Sequence, residues 1–82
     1  MRGLILTSNQ KKLIQYHLAR LKDRRPEARL EAINELTELG DRDALPALQA
    51  LFETDPDISV RRAAQHTGRL IYLRTLKSSE GE

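Results

Sequence analysis

The feature that most limits how this chain can fold is a self-similarity at a spacing of 32 residues. Asp23, Ala28, Arg29, Ala32 and Leu39 recur as Asp55, Val60, Arg61, Ala64 and Ile71 in a chain of 82 residues. The positions before them repeat more loosely. Leu18 and Leu21 answer to Leu48 and Leu51 at a spacing of 30, so a two-residue difference precedes each turn. A period in this range belongs to stacked helical hairpins: one hairpin leaves a side of its apolar surface bare, and the next covers it.

Local punctuation divides the chain into four helices. Thr7-Ser8-Asn9-Gln10 reads as a capping box, with apolar positions following at Leu13, Ile14, Leu18 and Leu21. The first helix is expected to stop near Lys22-Asp23. Pro26 suits the first turn of a second helix, because its missing N–H is not needed there. That helix carries Ala28, Ala32, Ile33, Leu36 and Leu39 on one stripe, and Gly40 supplies the left-handed residue that ends it. Asp41 and Asp43 are candidate caps for a third helix with the stripe Ala44, Leu45, Leu48, Leu51 and Phe52. Pro46 falls in its first turn. Thr54-Asp55-Pro56-Asp57 is a turn, with Asp57 or Ser59 capping a fourth helix that presents Val60, Ala63, Ala64, Thr67 and Ile71 and runs to about Leu76. The resulting division is an N-terminal arm over 1–7, a helical domain over 8–76 and a flexible tail over 77–82.

Composition agrees with helices and removes several alternatives. Ala, Leu, Glu, Lys and Arg make up just over half the chain, whereas aromatic residues are 4%, which disfavours a sandwich or barrel. The absence of cysteine excludes a disulfide scaffold, a thiolate metal site and a cysteine nucleophile. No apolar run is long enough for a membrane span, and Gly3-Leu4-Ile5-Leu6 is too short for a signal core, so the chain reads as cytoplasmic. A net charge of +2 argues for no particular polyanion.

The residues Leu39-Gly40-Asp41, Ala44-Leu45-Pro46-Ala47-Leu48, Asp55 and Val60-Arg61-Arg62-Ala63-Ala64 resemble a HEAT repeat, closest to the short bacterial variety of phycobilisome-lyase-like proteins. The resemblance covers roughly residues 10–73. It implies an all-α fold: a short αα-superhelix of four antiparallel helices, about two helical hairpins. It also implies that Arg29 and Arg61 follow their turns and reach the turn aspartates Asp23 and Asp55, tying neighbouring units together. Departures from the pattern are the missing proline in the first outer helix and Gly68 where Leu36 stands in the first unit.

Catalytic constellations are thin. His17 and His66 lie on different helices without metal-ligand spacing, and no nucleophile elbow, P-loop or dinucleotide fingerprint occurs. His17 reads as a satisfied core or boundary histidine and His66 as a surface residue. Glu27, Glu31, Glu35 and Glu38 form a carboxylate stripe on the second helix, and Arg62, Gln65/His66 and Arg69 a basic stripe on the fourth. Two readings follow, an ion-pair seam between adjacent inner helices and a charged concave surface that recognises a partner. Leu70, Tyr72, Leu73 and Leu76 nearly surround the end of the fourth helix and are candidates for self-association, with a homodimer or larger partner favoured.

The leading functional reading is a non-enzymatic protein-interaction scaffold without cofactor or metal, binding through Glu31, Glu35, Arg62, His66 and Arg69. One alternative is an accessory subunit related to phycobilisome (bilin) lyases. The other is nucleic-acid binding along the turn edge, through Arg20, Lys22, Arg24, Arg25, Arg61 and Arg62. Interspersed Asp23, Glu53, Asp55 and Asp57 and the lack of aromatic stacking residues weigh against it.

Overall fold

The computed structural model describes the backbone of residues 2–80 and the side chains of residues 10–76. Within that span the chain forms α1 (Arg2–Arg20), α2 (Pro26–Leu39), a short 3-10 turn (Arg42–Ala44), α3 (Leu45–Thr54) and α4 (Ile58–Glu80). The sequence punctuation accounts for most of these bounds. Pro26 opens α2, and Pro46 lies in the first turn of α3. Asp41 accepts the Asp43 amide at 2.7 Å and holds the 3-10 turn that leads into α3. Asp57 caps α4 by accepting the amides of Ser59 and Val60 at 2.8 and 3.2 Å, satisfying two donors that no helical carbonyl reaches.

Two bounds differ from expectation. α1 starts at Arg2, so the Thr7–Gln10 box lies inside the helix instead of at its cap, and α4 continues past Leu76 to Glu80. The side chains of Leu4-Ile5-Leu6 lie outside the described residues, as do Gly81 and Glu82.

α1 pairs with α2 and α3 with α4, and the two hairpins join chiefly through α2 against α4. The interior is a single cluster. Ile14 and Leu21 enter from α1, Ala32, Ile33 and Leu36 from α2, Ala44 and Leu48 from the 3-10 turn and α3, and Val60, Ala64 and Ile71 from α4. Ile33, Leu36, Leu48, Val60 and Ile71 are the largest side chains with essentially no exposure. Phe52, expected on the core stripe of α3, is instead 37% exposed. It stands at the edge of the stripe, about 40° around α3 from Leu48, and lines an open groove beside α4.

Across the joint the Thr37 hydroxyl donates to the Ile33 carbonyl at 2.8 Å, so the 2.7 Å contact between the Thr37 and Thr67 hydroxyls has Thr67 as its donor. Arg74 then reaches back from α4 to donate to the Thr37 carbonyl at 3.0 Å, serving one of the unpaired acceptors at the end of α2. Gly40 closes that end with φ 64° and ψ 26°, and its amide bonds to the Leu36 carbonyl at 2.9 Å.

The two glycines on either side of this joint respond oppositely to the same change. Gly40→Ala forces a side chain into left-handed backbone and pushes a Cβ to 2.9 Å from Arg74 Nη1, a destabilisation of about 1–2 kcal/mol. Gly68→Ala sits in ordinary helix with its nearest new neighbour, Leu48 Cβ, at 3.9 Å, and gains about 1 kcal/mol of helix propensity. Urea unfolding of the two variants checks both signs.

Candidate functional site

The only strongly polar feature of the interior among the described residues is built where the two interhelical turns meet. Arg29, one turn into α2, is 8% exposed, and Asp55, which terminates α3, is 5% exposed. Arg29 Nη2 donates to Asp55 Oδ1 at 2.9 Å. Nε stands 2.8 Å from Oδ2, close enough for ionic attraction but without the alignment of a hydrogen bond. Nη1 donates to the carbonyls of Asp23 and Arg24 at 2.8 and 3.0 Å. One guanidinium therefore holds its own helix, the α1–α2 turn and the α3–α4 turn together. Asp55 Oδ1 also accepts the Asp57 amide at 2.9 Å, which shapes the chain entering α4.

The aspartate–arginine pairing read from the sequence is thus realised across the units and not within them. Arg29 meets the carboxylate of Asp55, whereas it touches Asp23 only at its backbone carbonyl. Arg61, the counterpart of Arg29, is exposed and has no ion-pair partner among the described residues. Asp23, the counterpart of Asp55, uses its Oδ1 to accept the Arg25 amide at 2.9 Å and Arg25 Nε at 3.2 Å. Those two bonds, the amide first, hold its carboxyl below the ordinary carboxylate value, and the carboxylate in turn raises the Arg25 guanidinium.

The five residues expected at a partner surface are all exposed: Glu31 and Glu35 on α2, and Arg62, His66 and Arg69 on α4. The expected ion-pair seam between those helices is not formed among the described residues. Glu31 turns to Arg20 of α1 at 3.8 Å, and no contact of this kind joins Glu27, Glu35 or Glu38 to Arg62 or Arg69. Helix geometry supplies the reason. At about 100° per residue the glutamates fall on the side of α2 opposite Arg29, Ile33 and Thr37, the residues turned to the second unit. Arg69 likewise lies across α4 from Thr67 and Arg74, Arg62 shares its side two turns earlier, and His66 points outward between that side and the joint.

His17 is 5% exposed, as a core histidine should be, and its Nδ1 has no hydrogen-bond partner among the described residues. Tyr72, Leu73 and Leu76 are 54%, 50% and 42% exposed, and Leu70 is half-buried. Tyr72 joins Leu45, Pro46, Phe52, Gly68 and Arg69 along an open groove of about 530 Å³ on the far side of α3 and α4. A second groove of about 400 Å³ separates α1 from α3, between Leu18 and Ala19 on one wall and Pro46 and Ala47 on the other. Thr37 and Arg74, which complete the joint, were not singled out from the sequence, and Arg20, read there as part of the basic turn edge, pairs with Glu31 instead. A Thr at both i and i+30 is the one signal that could have suggested the hydroxyl pair.

The turn edge proposed for nucleic acid mixes Arg24 and Arg25 with Asp23, which Arg25 already engages. No described helix is long and apolar enough to cross a membrane.

Removing one side of the interior pair leaves the other charge buried. Asp55→Ala is expected to lower unfolding stability by about 3–5 kcal/mol, whereas Asp23→Ala, at the exposed counterpart, costs far less. Equilibrium denaturation of the two variants measures that contrast.

The family model described as HEAT repeats aligns with residues 2–67. No curated protein and no solved structure matches the chain. With most of its length covered by that match and its four helices stacked as two hairpins, the chain belongs to the HEAT repeat family.

Proposed function

We propose that the chain is a non-enzymatic protein-interaction module whose partner docks along the exposed edges of α2 and α4, with Glu31, Glu35, Arg62, His66 and Arg69 among its contacts. Proteins of this family generally act as interaction scaffolds. The observation that carries the reading is how the polar groups are divided. Arg29, Asp55, Thr37 and Thr67 are consumed by the joint between units, while Arg62, His66 and Arg69 stand exposed on α4 with no ion pair among the described residues. Exposed cations of this kind, held on a rigid helix, set the specificity and rate of docking more than they add to stability. The apolar end of α4, through Leu70, Tyr72, Leu73 and Leu76, supports association of the chain with a copy of itself or with a larger protein.

Affinity capture with the full chain as bait, compared with an Arg62→Glu/His66→Glu variant, tests the assignment. Both positions are exposed, so helical content and thermal midpoint are expected to stay unchanged. The partner recovered by the parent chain is expected to bind the variant at least about tenfold more weakly. Equal recovery by both proteins removes the α4 face from the account.

A further inference from the structure

We propose that the two ends of the stack are complementary, so that copies of this chain associate head to tail, the first unit of one copy seated on the second unit of the next. The joint inside the chain supplies the template. There the first unit offers Arg29, Ile33 and Thr37 from α2, and the second offers Asp55, Thr67 and Arg74. The 32-residue repeat places Arg61, Gln65 and Arg69 on α4 where Arg29, Ile33 and Thr37 stand on α2. It likewise places Asp23 and Glu35 in the first unit where Asp55 and Thr67 stand in the second. Each copy therefore presents, at opposite ends, the two halves of a joint it already makes once.

Three observations show that these ends fit each other. The first is the geometry of the two turn aspartates. Each directs Oδ1 to the amide two residues on, at 2.9 Å in both turns, so Asp23 is presented as Asp55 is. Asp23 Oδ2 has no partner among the described residues, and neither has the Arg61 guanidinium. The second is charge. Glu27, Glu31, Glu35 and Glu38 lie exposed on the side of α2 turned away from α4, and Arg61 and Arg69 lie exposed on the side of α4 turned away from α2. The carboxylates repel one another at helical spacing, and a facing arginine pair relieves that repulsion. The third is the apolar surface at both ends. Leu45, Phe52 and Tyr72 line the open groove beyond the second unit, and Leu13 is 45% exposed on the flank of α1 turned away from α3.

The new joint differs from the internal one in a way that sets its character. Ile33 and Leu36 are fully buried at the internal joint, whereas their counterparts Gln65 and Gly68 offer little apolar area. Contact between copies accordingly relies on charge and weakens with salt. Because unlike faces meet, the contact repeats without closing on a two-fold axis and yields growing assemblies, not a sealed dimer. The proposal shares Glu31, Glu35 and Arg69 with the partner surface above but does not rest on it, since Arg61 and Asp23 belong to this joint alone and its test is self-association of the purified chain.

Light scattering and sedimentation equilibrium of the full chain, from low-micromolar to millimolar protein, test it. The parent chain is expected to grow in mass beyond a dimer with concentration and to shrink toward one chain at high salt. An Arg61→Glu/Arg69→Glu variant and a Glu31→Arg/Glu38→Arg variant are each expected to stay at one chain, the first because both of its ends become acidic, the second because two arginines beside Glu27 and Glu35 cancel the acidic stripe that Arg61 and Arg69 would meet. Mixed in equal amounts they are expected to associate in pairs, since the unaltered acidic end of the first variant meets the unaltered basic end of the second. Circular dichroism establishes that both variants keep their helices. A parent chain that remains monomeric, one that stops at a dimer, or variants that assemble as the parent does overturns the proposal.

Discussion

Everything in this molecule is arranged around a charge pair that has been taken out of water. Arg29 and Asp55 meet at 2.8 and 2.9 Å with almost no exposure. Desolvating two ions costs several kcal/mol each, and the attraction between them offsets that only if their other polar atoms are served. The surroundings meet this requirement except at Arg29 Nε, which has the ionic contact with Asp55 Oδ2 but no hydrogen bond. Two turn carbonyls accept from Nη1, and the Asp57 amide donates to the carboxylate. The pair adds little stability over an apolar substitute; what it adds is register. A slip of α2 against the α3–α4 turn would strand a buried guanidinium and a buried carboxylate together.

Register at the turns fixes what happens along the helices. With α2 and α4 held side by side, Thr37 and Thr67 share a hydrogen bond and Arg74 closes the last turn of α2. α1 and α3 are left apart, with a groove of about 400 Å³ between them. The same arrangement decides which charges are left over. Residues at the joint are spent on cohesion, and those on the outward sides of α2 and α4 remain available for other molecules.

Much of this was legible in the amino-acid order because it depends on local chemistry. Gly40 has the left-handed geometry its place after Leu39 suggested, Asp57 caps α4, and Ala32, Leu36, Leu48, Ala64 and Ile71 share one interior. What the order did not disclose is direction around each helix. Periodicity identifies an apolar stripe but not which flank of it the next hairpin covers, and that choice depends on the stacking sense. The glutamates of α2 and the arginines of α4 were therefore read as facing one another, when they lie on opposite flanks of the pair. The same ambiguity placed Arg61 in a pair with Asp55, although Arg29 occupies that carboxylate. Phe52 failed for a different reason: it stands at the edge of the stripe, on the side of α3 that opens into the groove.

The central claim is that the Arg29–Asp55 pair makes two hairpins into one cooperative body. Native-state hydrogen exchange measures this most directly, by comparing amides around Ala32–Leu36 in α2 with those around Ala64–Ile71 in α4. The account predicts one shared opening free energy for both groups in the parent chain, and separate, lower values for each hairpin in Asp55→Ala. Distinct opening free energies for α2 and α4 in the parent chain would contradict it.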